Sequence, residues 1–285
     1  MSKYYYNKDY FQIIDTSEKA YWLGFLYADG CINRKYKNDK LASMQLELSL
    51  SIKDKAHLQK FALSLDSNVP IKERLVKYKD SEYGACRLLV CNTKICYDLI
   101  DKGCTPQKST TVRMPNDHIV PFHLKSDFLR GYFDGNGCIH VRLQGGKPTI
   151  EIVIATGTED MLKDISSFLF SNRIVTVMPK IYKDNRSNSH QMFYYGDSVK
   201  DFLDYIYSDC TTYLNRKYQQ YLSFYDGYSL SRDGVYWHEG NQAYVVTIRI
   251  DGKRIRVGQS KDLYEAINMR KEAEIRKTNK CLLSQ

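Results

Sequence analysis

Two oxygen-bearing side chains occupy equivalent ends of two similar apolar stretches. Asp29 lies near the end of residues 20–30, AYWLGFLYADG, and Asn136 lies near the end of residues 128–137, FLRGYFDGNG. Each stretch is long enough for about three helical turns, and its final glycine favours a helix C-terminus. A carboxylate at that end meets the negative pole of the helix dipole, so a cation is its natural companion.

Each apolar stretch also carries a glycine near its middle, Gly24 in the first and Gly131 in the second. A mid-helix glycine costs about 1 kcal/mol relative to alanine, so it usually has a packing reason. We expect that reason to be a close approach between the backbones of the two helices. Both copies continue as Gly-Cys-Ile, and their domain-length separation predicts a duplicated domain rather than a solenoid.

The two motifs, WLGFLYADG at 22–30 and LRGYFDGNG at 129–137, resemble those of the LAGLIDADG homing endonucleases in their single-chain, two-motif form. The resemblance implies that the motif helices pack together over a double-stranded DNA target. It also implies two or three shared Mg²⁺ ions, and a carboxylate where this chain has an amide. We therefore expect this form to be inactive or to nick one strand. The metal ligands that the resemblance implies are Ala28, Asp29, Gly135 and Asn136.

The resemblance further implies one basic catalytic residue in each half, close to the metal. Lys108 and Lys217 follow Asp29 and Asn136 at nearly equal distances, which fits that role. A lysine beside a scissile phosphate can stabilise developing charge or orient the attacking water. The alternative for each lysine is an ordinary position in a surface loop.

Hydrophobic periodicity predicts the same order of elements in each half: helix, two strands, helix, two strands, helix. The chain is then an α+β protein of two pseudo-symmetric αββαββα repeats with antiparallel sheets, which the resemblance implies to be saddle-shaped. We predict the repeats at 1–115 and 116–228, and a third module at 229–285. Residues 104–122, which hold three of the six prolines, are interpreted as the linker.

Long polar side chains on the predicted strands and their hairpins form a candidate DNA-binding surface. The resemblance implies that such side chains fill the major groove, where they read base edges or hold phosphates. A solvated sheet face would also be charged, and this stays the alternative at each position. The candidates in the two repeats are Arg34, Lys35, Gln45, Glu47, Lys72, Arg74, Lys77, Arg142, Gln144, Lys180, Lys183 and Arg186.

The last residues do not belong to the repeat and predict a small sheet of three strands covered by one helix. An Asp-Gly turn at 251–252 separates two alternating runs, which is a strong hairpin signal. The module resembles the plant ethylene-response-factor (APETALA-type) DNA-binding domain through GVY at 234–236, TIR at 247–249 and RIRVG at 254–258. Alternation puts apolar residues on one face and these candidate DNA contacts on the other: Thr247, Arg249, Arg254 and Arg256.

Composition limits the partner and the setting. The net charge of +9 over 285 residues indicates a polyanion such as nucleic acid, although a merely soluble basic protein would share it. The polar N-terminus and the lack of a long apolar run predict neither signal peptide nor membrane span. Eight scattered cysteines are typical of reduced thiols. We therefore expect an intracellular protein, cytoplasmic in a bacterium or phage host, or organellar.

These observations predict a monomeric, site-specific DNA endonuclease that hydrolyses phosphodiesters with Mg²⁺. Two alternatives stay open: an intron RNA maturase, because the same fold resembles proteins that assist splicing, and a DNA-binding regulator with a decayed active site. A zinc site at His118 and His123 with Cys104 or Cys138 would fit no standard ligand spacing. No phosphate loop, nucleophile elbow or HExxH motif occurs in the sequence.

Overall fold

The computed structural model describes residues 4–78, 81–144, 147–185, 187, 189–230, 234–250 and 252–282. Its contacts divide the chain into two compact units. The first unit comprises Met1–Cys138 and Val153–Asn215, and the second comprises Ile139–Ile152 and Arg216–Gln285. The boundaries of the two repeats and of the third module stay predictions. None of the described helices has the length and apolarity that crossing a membrane requires.

The first repeat follows the predicted order of elements. A short 3-10 turn, Ile52–Asp54, precedes its second helix, and its strands pair antiparallel in the order β1-β2-β4-β3. Thr16 caps the first helix by accepting the Lys19 N–H at 3.3 Å. The elements are α1 (Ser17–Asp29), β1 (Gly30–Lys37), β2 (Lys40–Ser51), α2 (Lys55–Ser64), β3 (Lys72–Tyr78), β4 (Ser81–Cys91) and α3 (Thr93–Asp101).

The second repeat has the same order of elements and the equivalent strand order, β5-β6-β8-β7. In this half the sequence pattern also predicts a strand over residues 174–182. That prediction was wrong in part: the strand begins only at Ile181, and residues 174–180 form turns and irregular chain. The elements are α4 (Lys125–Asn136), β5 (Gly137–Gln144), β6 (Lys147–Thr156), α5 (Glu159–Ser171), β7 (Ile181–Asp184), β8 (Ser189–Tyr195) and α6 (Asp197–Tyr207).

The second unit ends in the predicted three-stranded sheet and helix, preceded by a helix that the sequence pattern did not indicate. Strand order is β11-β10-β9, antiparallel throughout. The sheet and the last helix bury a small core of Val235, Tyr244, Val246, Ala266 and Ile267. The elements are α7 (Asn215–Leu230), β9 (Val235–His238), β10 (Ala243–Ile250), β11 (Lys253–Ser260) and α8 (Leu263–Leu282).

The two motif helices, α1 and α4, pack along a seam with no room for side chains at its centre. A Cβ on Gly24 would overlap the carbonyl oxygen of Phe128 and stand 2.9 Å from the carbonyl carbon. A Cβ on Gly131 would overlap the carbonyl oxygen of Tyr21 in the same way, again 2.9 Å from the carbon. The expected close approach of the two helix backbones is confirmed. An added Cβ would meet backbone atoms, which cannot move aside as a flexible side chain could.

We predict that Gly24→Ala and Gly131→Ala each destabilise the fold by at least about 3 kcal/mol, the upper end of the usual overpacking cost. This loss outweighs the gain of about 1 kcal/mol in helix propensity, because backbone atoms cannot move aside. Urea unfolding of each variant measures the change in the free energy of unfolding. The control is Leu63→Ala in α2, where the side chain is 78% exposed and the change should stay within about 0.5 kcal/mol. A Gly131→Ala protein of unchanged stability would contradict the seam.

Candidate active site and nucleic-acid interface

The C-terminal ends of α1 and α4 lie against each other. A Cβ on Gly135 would overlap the Cβ of Ala28 and stand 3.3 Å from the Oδ2 atom of Asp29. The carboxylate of one motif helix therefore lies over the last turn of the other. Asp29 is exposed and Asn136 is half-buried. Burial raises the pKa of the Tyr132 hydroxyl, and the nearby side chains of Thr156 and Asn136 oppose that rise.

Lys108 lies immediately beside this pair of helix ends. Its side chain is 7% exposed, and its Nζ donates to the carbonyl of Gly30, the residue that follows Asp29. It stands on a short 3-10 turn, Lys108–Thr110, entered through Gln107 in the left-handed region at φ 57°. The backbone of Ser109 in that turn packs closely against Gly157. Two backbone constraints thus fix the turn that presents this lysine.

Lys217 belongs to the second unit and lies in the first turn of α7, not in a loop. Its side chain is 2% exposed. The surface-loop alternative is therefore wrong for Lys217, and burial argues against it for Lys108. The catalytic roles of both lysines stay predictions.

The oxygen ligands at the two helix ends can be compared with those that a Mg²⁺ site requires, since the resemblance of the motifs implies this ion. Hard divalent ions prefer oxygen, and Mg²⁺ is commonly held by one or two carboxylates completed by water and substrate phosphates. Asp29 supplies a carboxylate and Asn136 an amide oxygen, and the last carbonyls of an α-helix have no partner within the helix. In the described ranges, no group of three or more His, Cys, Asp or Glu side chains could hold a metal. The residues fit a hard cation that relies on its substrate for further ligands.

A buried carboxylate, Asp134, organises the interior just before Asn136. Asp134 is fully buried and accepts the hydroxyls of Tyr21 at 2.7 Å and Tyr207 at 2.5 Å. It also accepts the backbone N–H of Leu214 at 2.7 Å. These bonds tie α4 to α1, to α6 and to the chain that follows α6. Burial, and then the Asp134 charge, raise the pKa values of the Tyr21 and Tyr207 hydroxyls well above their usual range.

Arg130 supplies the matching buried charge on the same helix. Its guanidinium donates to Asp127 at 2.6 Å and to the carbonyls of Thr212 at 2.7 Å and Ile206 at 2.9 Å. It also lies 5.3 Å from the centre of the Tyr21 ring, within cation–π range. Sequence reasoning missed this network. The available signal was charge inside an apolar motif: Arg130 and Asp134 stand where the first copy has Leu23 and Tyr27.

The first sheet has one apolar face and one polar face, as alternation along β2 predicts. Leu46 and Leu48 are buried against the helices, while Glu47 lies on the polar face between them in sequence. There Glu47 accepts from Asn33 at 3.3 Å and from Ser49 at 3.0 Å, and Arg87 approaches its carboxylate to 3.8 Å. Strand register places these sequence-predicted candidates on the polar face: Lys35, Gln45, Glu47, Lys72 and Arg74.

Two candidates of the first repeat lie elsewhere. Arg34 pairs with Met44 and Lys77 with Glu82, so register puts both on the opposite face of the sheet from Glu47. Lys77 also forms an ion pair with Glu82 at 3.0 Å. Each is an odd number of residues from its neighbours on the polar face, and the role of both residues in DNA binding stays a prediction. Arg87, which lies on that face beside Lys72, was missed.

In the second repeat, Lys183 lies on the side of the sheet that carries the buried Met192, so it does not share a face with its neighbour Tyr182. Lys180 is exposed and precedes β7. Arg142 and Gln144 lie on β5, with side chains outside the described part of the structure, and Arg186 lies wholly outside it. Their role in DNA binding stays a prediction.

The C-terminal sheet places three arginines on one face. Arg249 pairs with Arg254, and Arg256 pairs with Thr247, so cross-strand register brings them together, and all three arginines are exposed. Thr247 is only 4% exposed, and its hydroxyl donates to the carbonyl of Gly234 at 3.2 Å. Thr247 therefore braces the module internally and is not available to DNA. The resemblance to the ethylene-response-factor domain stays a prediction.

Residues 124–207 match the sequence model of a LAGLIDADG-like domain, which spans α4 to the end of α6. Among solved structures, a mutant of I-SmaMI aligns with a TM-score of 0.51 at 12% identity, covering 75% of this chain and 91% of that one. I-SmaMI bound to uncleaved DNA target in the presence of calcium ions aligns with a TM-score of 0.47 at 12% identity, again over 75% and 91%. The first of these alignments shows a shared fold.

A probable translation initiation factor IF-2 from Methanocaldococcus jannaschii is 22% identical over 187 residues. The match covers 64% of this chain but only 14% of that protein. The chain thus spans a small part of the length of this curated relative.

We predict that Asp134→Ala lowers the free energy of unfolding by about 3 kcal/mol or more. Three buried donors, two hydroxyls and one backbone N–H, lose their acceptor, and Arg130 loses a nearby compensating charge. The measurement is again urea unfolding. The control is Asp204→Ala in α6, where the carboxylate pairs at the surface with Lys200 at 2.8 Å and the loss should be about 1 kcal/mol or less. Equal losses in the two variants would contradict an organising role for Asp134.

Proposed function

We propose that this chain, in which residues 124–207 match a LAGLIDADG-like domain, is a site-specific DNA endonuclease of the homing type. The observation that carries the proposal is the meeting of two motif helix ends, with the Asp29 carboxylate over Gly135 and Lys108 on the carbonyl of Gly30. Such an arrangement gathers acceptor oxygens and one buried cation at a single point, where the Asp29 side chain is exposed. That is the chemistry a scissile phosphate and a divalent ion require.

The side chains divide the work of hydrolysis. Asp29 and the Asn136 amide oxygen, with the carbonyls of Ala28 and Gly135, would hold Mg²⁺. When bound, such an ion polarises a phosphoryl oxygen and lowers the pKa of its water. An ammonium has three donors, and Lys108 uses one on Gly30, which leaves two for a phosphate oxygen or the attacking water. Lys217 would serve the other strand.

The partner we propose is duplex DNA, bound by a monomer. The polar face of the first sheet combines cations and a carboxylate, groups that read major-groove edges: Lys35, Glu47, Lys72, Arg74 and Arg87. Gln45 shares this face by register, but it is only 9% exposed and its amide donates to the Cys91 Sγ atom at 3.1 Å. Arg87 lies 3.8 Å from the Glu47 carboxylate and offsets part of its negative charge on this face. The net charge of +9 adds a general attraction to phosphates.

The amide at Asn136 favours a second candidate function: a regulator that binds DNA but has lost the ability to cleave it. An amide is nearly the size of a carboxylate and keeps one oxygen, but it brings no charge to offset a divalent ion. The same substitution relieves a disfavoured negative charge at a helix C-terminus. Binding and folding are then expected to persist while hydrolysis weakens.

We predict that Asn136→Asp converts a protein that binds or nicks its site into one that makes double-strand breaks in Mg²⁺. The target is first selected from a random duplex pool by binding, then placed in a supercoiled plasmid. Linear product should rise by more than about tenfold, which corresponds to ~1.4 kcal/mol in the activation barrier. The matched control is Asp29→Asn, which should bind the same site and cut neither strand.

Three other results would revise the proposal. Tight binding without cleavage, even after Asn136→Asp, would support the regulator. Preference for folded intron RNA over the selected duplex would support a maturase. Full double-strand cleavage by the unaltered protein would show that position 136 is not a metal ligand.

We also predict that the C-terminal arginines contact phosphates. Arg249→Gln and Arg254→Gln should each lower the slope of log K against log salt by about one unit, without changing the selected sequence. The control is Arg276→Gln on α8, where the guanidinium pairs with Glu272 at 3.4 Å and the slope should not change. Unchanged slopes for the two sheet arginines would instead indicate a bracing role for the module.

A further inference from the structure

The two sheets carry different chemistry at equivalent positions of their strands. β4 leads into α3 through the cap residue Asn92, and β8 leads into α6 through Gly196. Superposing these caps sets Arg87, Leu89 and Cys91 on the corresponding residues of the second repeat: Gln191, Phe193 and Tyr195.

The neighbouring strands extend the same equivalence. Lys72 pairs with Arg87 across the first sheet, and Tyr182 pairs with Gln191 across the second. An aromatic ring thus stands in the second repeat where the first has a lysine, and an amide stands where the first has an arginine. Because pseudo-symmetric faces would meet one continuous duplex, the two halves of the target would be read by unlike groups.

Three aromatic residues form this second surface, which we call the aromatic patch: Tyr182, Phe193 and Tyr195. Met192 and Tyr194, which alternate with them along β8, are 0% and 2% exposed and fill the core. The patch therefore lies on the other face of the sheet, where Tyr182 is 53% and Tyr195 58% exposed. Adjoining exposed aromatic side chains on one strand face mark a candidate contact surface.

The rings of the patch support one another. Tyr182 and Phe193 pack edge to face with centroids 5.8 Å apart and planes at 71°, and Phe193 and Tyr195 stack with centroids 6.3 Å apart and planes at 8°. The patch is therefore a preformed apolar surface that loses little side-chain freedom on binding. Rings that cover one another in this way offer few open faces for unpaired bases to stack on.

We propose that the aromatic patch contacts the C5-methyl groups of thymines in the half-site that the second sheet reads. Thymine is the one base that presents a methyl group in the major groove, and apolar side chains recognise it there. Gln191 lies among the rings and can bond the N6 and N7 edge of adenine, the partner of thymine. The second half-site is then rich in A·T pairs, while the charged first face selects by hydrogen bonds. This specificity rests on the proposed function.

The test removes the methyl groups and leaves the protein unaltered. After selection of a target from a random duplex pool, thymines of each half-site are replaced by uracil, and the dissociation constant is measured by titration. Each contacted methyl that is lost from the second half-site should weaken binding about fourfold, the value of one buried methyl group. Replacement in the first half-site should change binding by less than about twofold, since its contacts are hydrogen bonds.

Variants connect the effect to the patch. Phe193→Ala and Tyr195→Ala should bind thymine and uracil targets alike. The control is Phe170→Ala on α5, an aromatic residue that is 44% exposed, and it should keep the full preference for thymine. Equal binding of thymine and uracil targets by the unaltered protein would overturn the inference and leave the endonuclease proposal standing. Stronger binding of single-stranded RNA than of the selected duplex, or no sequence preference in the pool, would overturn both.

Discussion

The backbone contact between α1 and α4 is the constraint on which the rest of the first unit depends. Gly24 lies on the carbonyl of Phe128 and Gly131 on that of Tyr21, so the helix axes approach as closely as main chains allow. Only this approach brings the final turns together, with Ala28 on Gly135 and the Asp29 carboxylate beside them. The geometry of the candidate site therefore depends on two glycines that lie about one and a half turns away.

Sequence reasoning reached the helices and strands of the two repeats and the close approach of the motif helices, because each follows from a pattern in the sequence, whereas it missed α7. The glycines, the apolar runs and the alternation along β2 can each be recognised within a short stretch of sequence. Lys108 was reached by repeat spacing and a family resemblance. In the structure, the backbone of Gln107 takes the left-handed conformation and leads into the turn that places Lys108 beside the site. No sequence pattern predicted this conformation.

What sequence could not supply was side-chain pairing across long separations. Asp134, Tyr21, Tyr207 and Leu214 meet only in the fold, and nothing in their spacing predicts that one carboxylate joins them. Parity within one strand does not reveal register with the next, so only the structure shows that Arg34 and Lys77 lie on the face opposite Glu47, and Lys183 on the face opposite Tyr182. Thr247 was predicted to contact DNA because alternation puts it on the face of the arginines. Alternation does not show that the module buries its side chain.

The seam between α1 and α4 combines backbone contacts at glycines with side-chain hydrogen bonds. The two kinds of contact place different limits on which halves can pair. The glycine contacts use only main-chain atoms, so any two halves with the same glycines can meet through them. Two further bonds are particular to this pair: Ser17 with Asp127 at 3.0 Å and Tyr21 with Asp134 at 2.7 Å. These two bonds favour the pairing of halves that carry both partners over the pairing of halves that lack one of them. Exchange of whole halves between relatives is therefore permitted by the backbone and restricted by these polar pairs, which leaves the sheet faces free to acquire new targets.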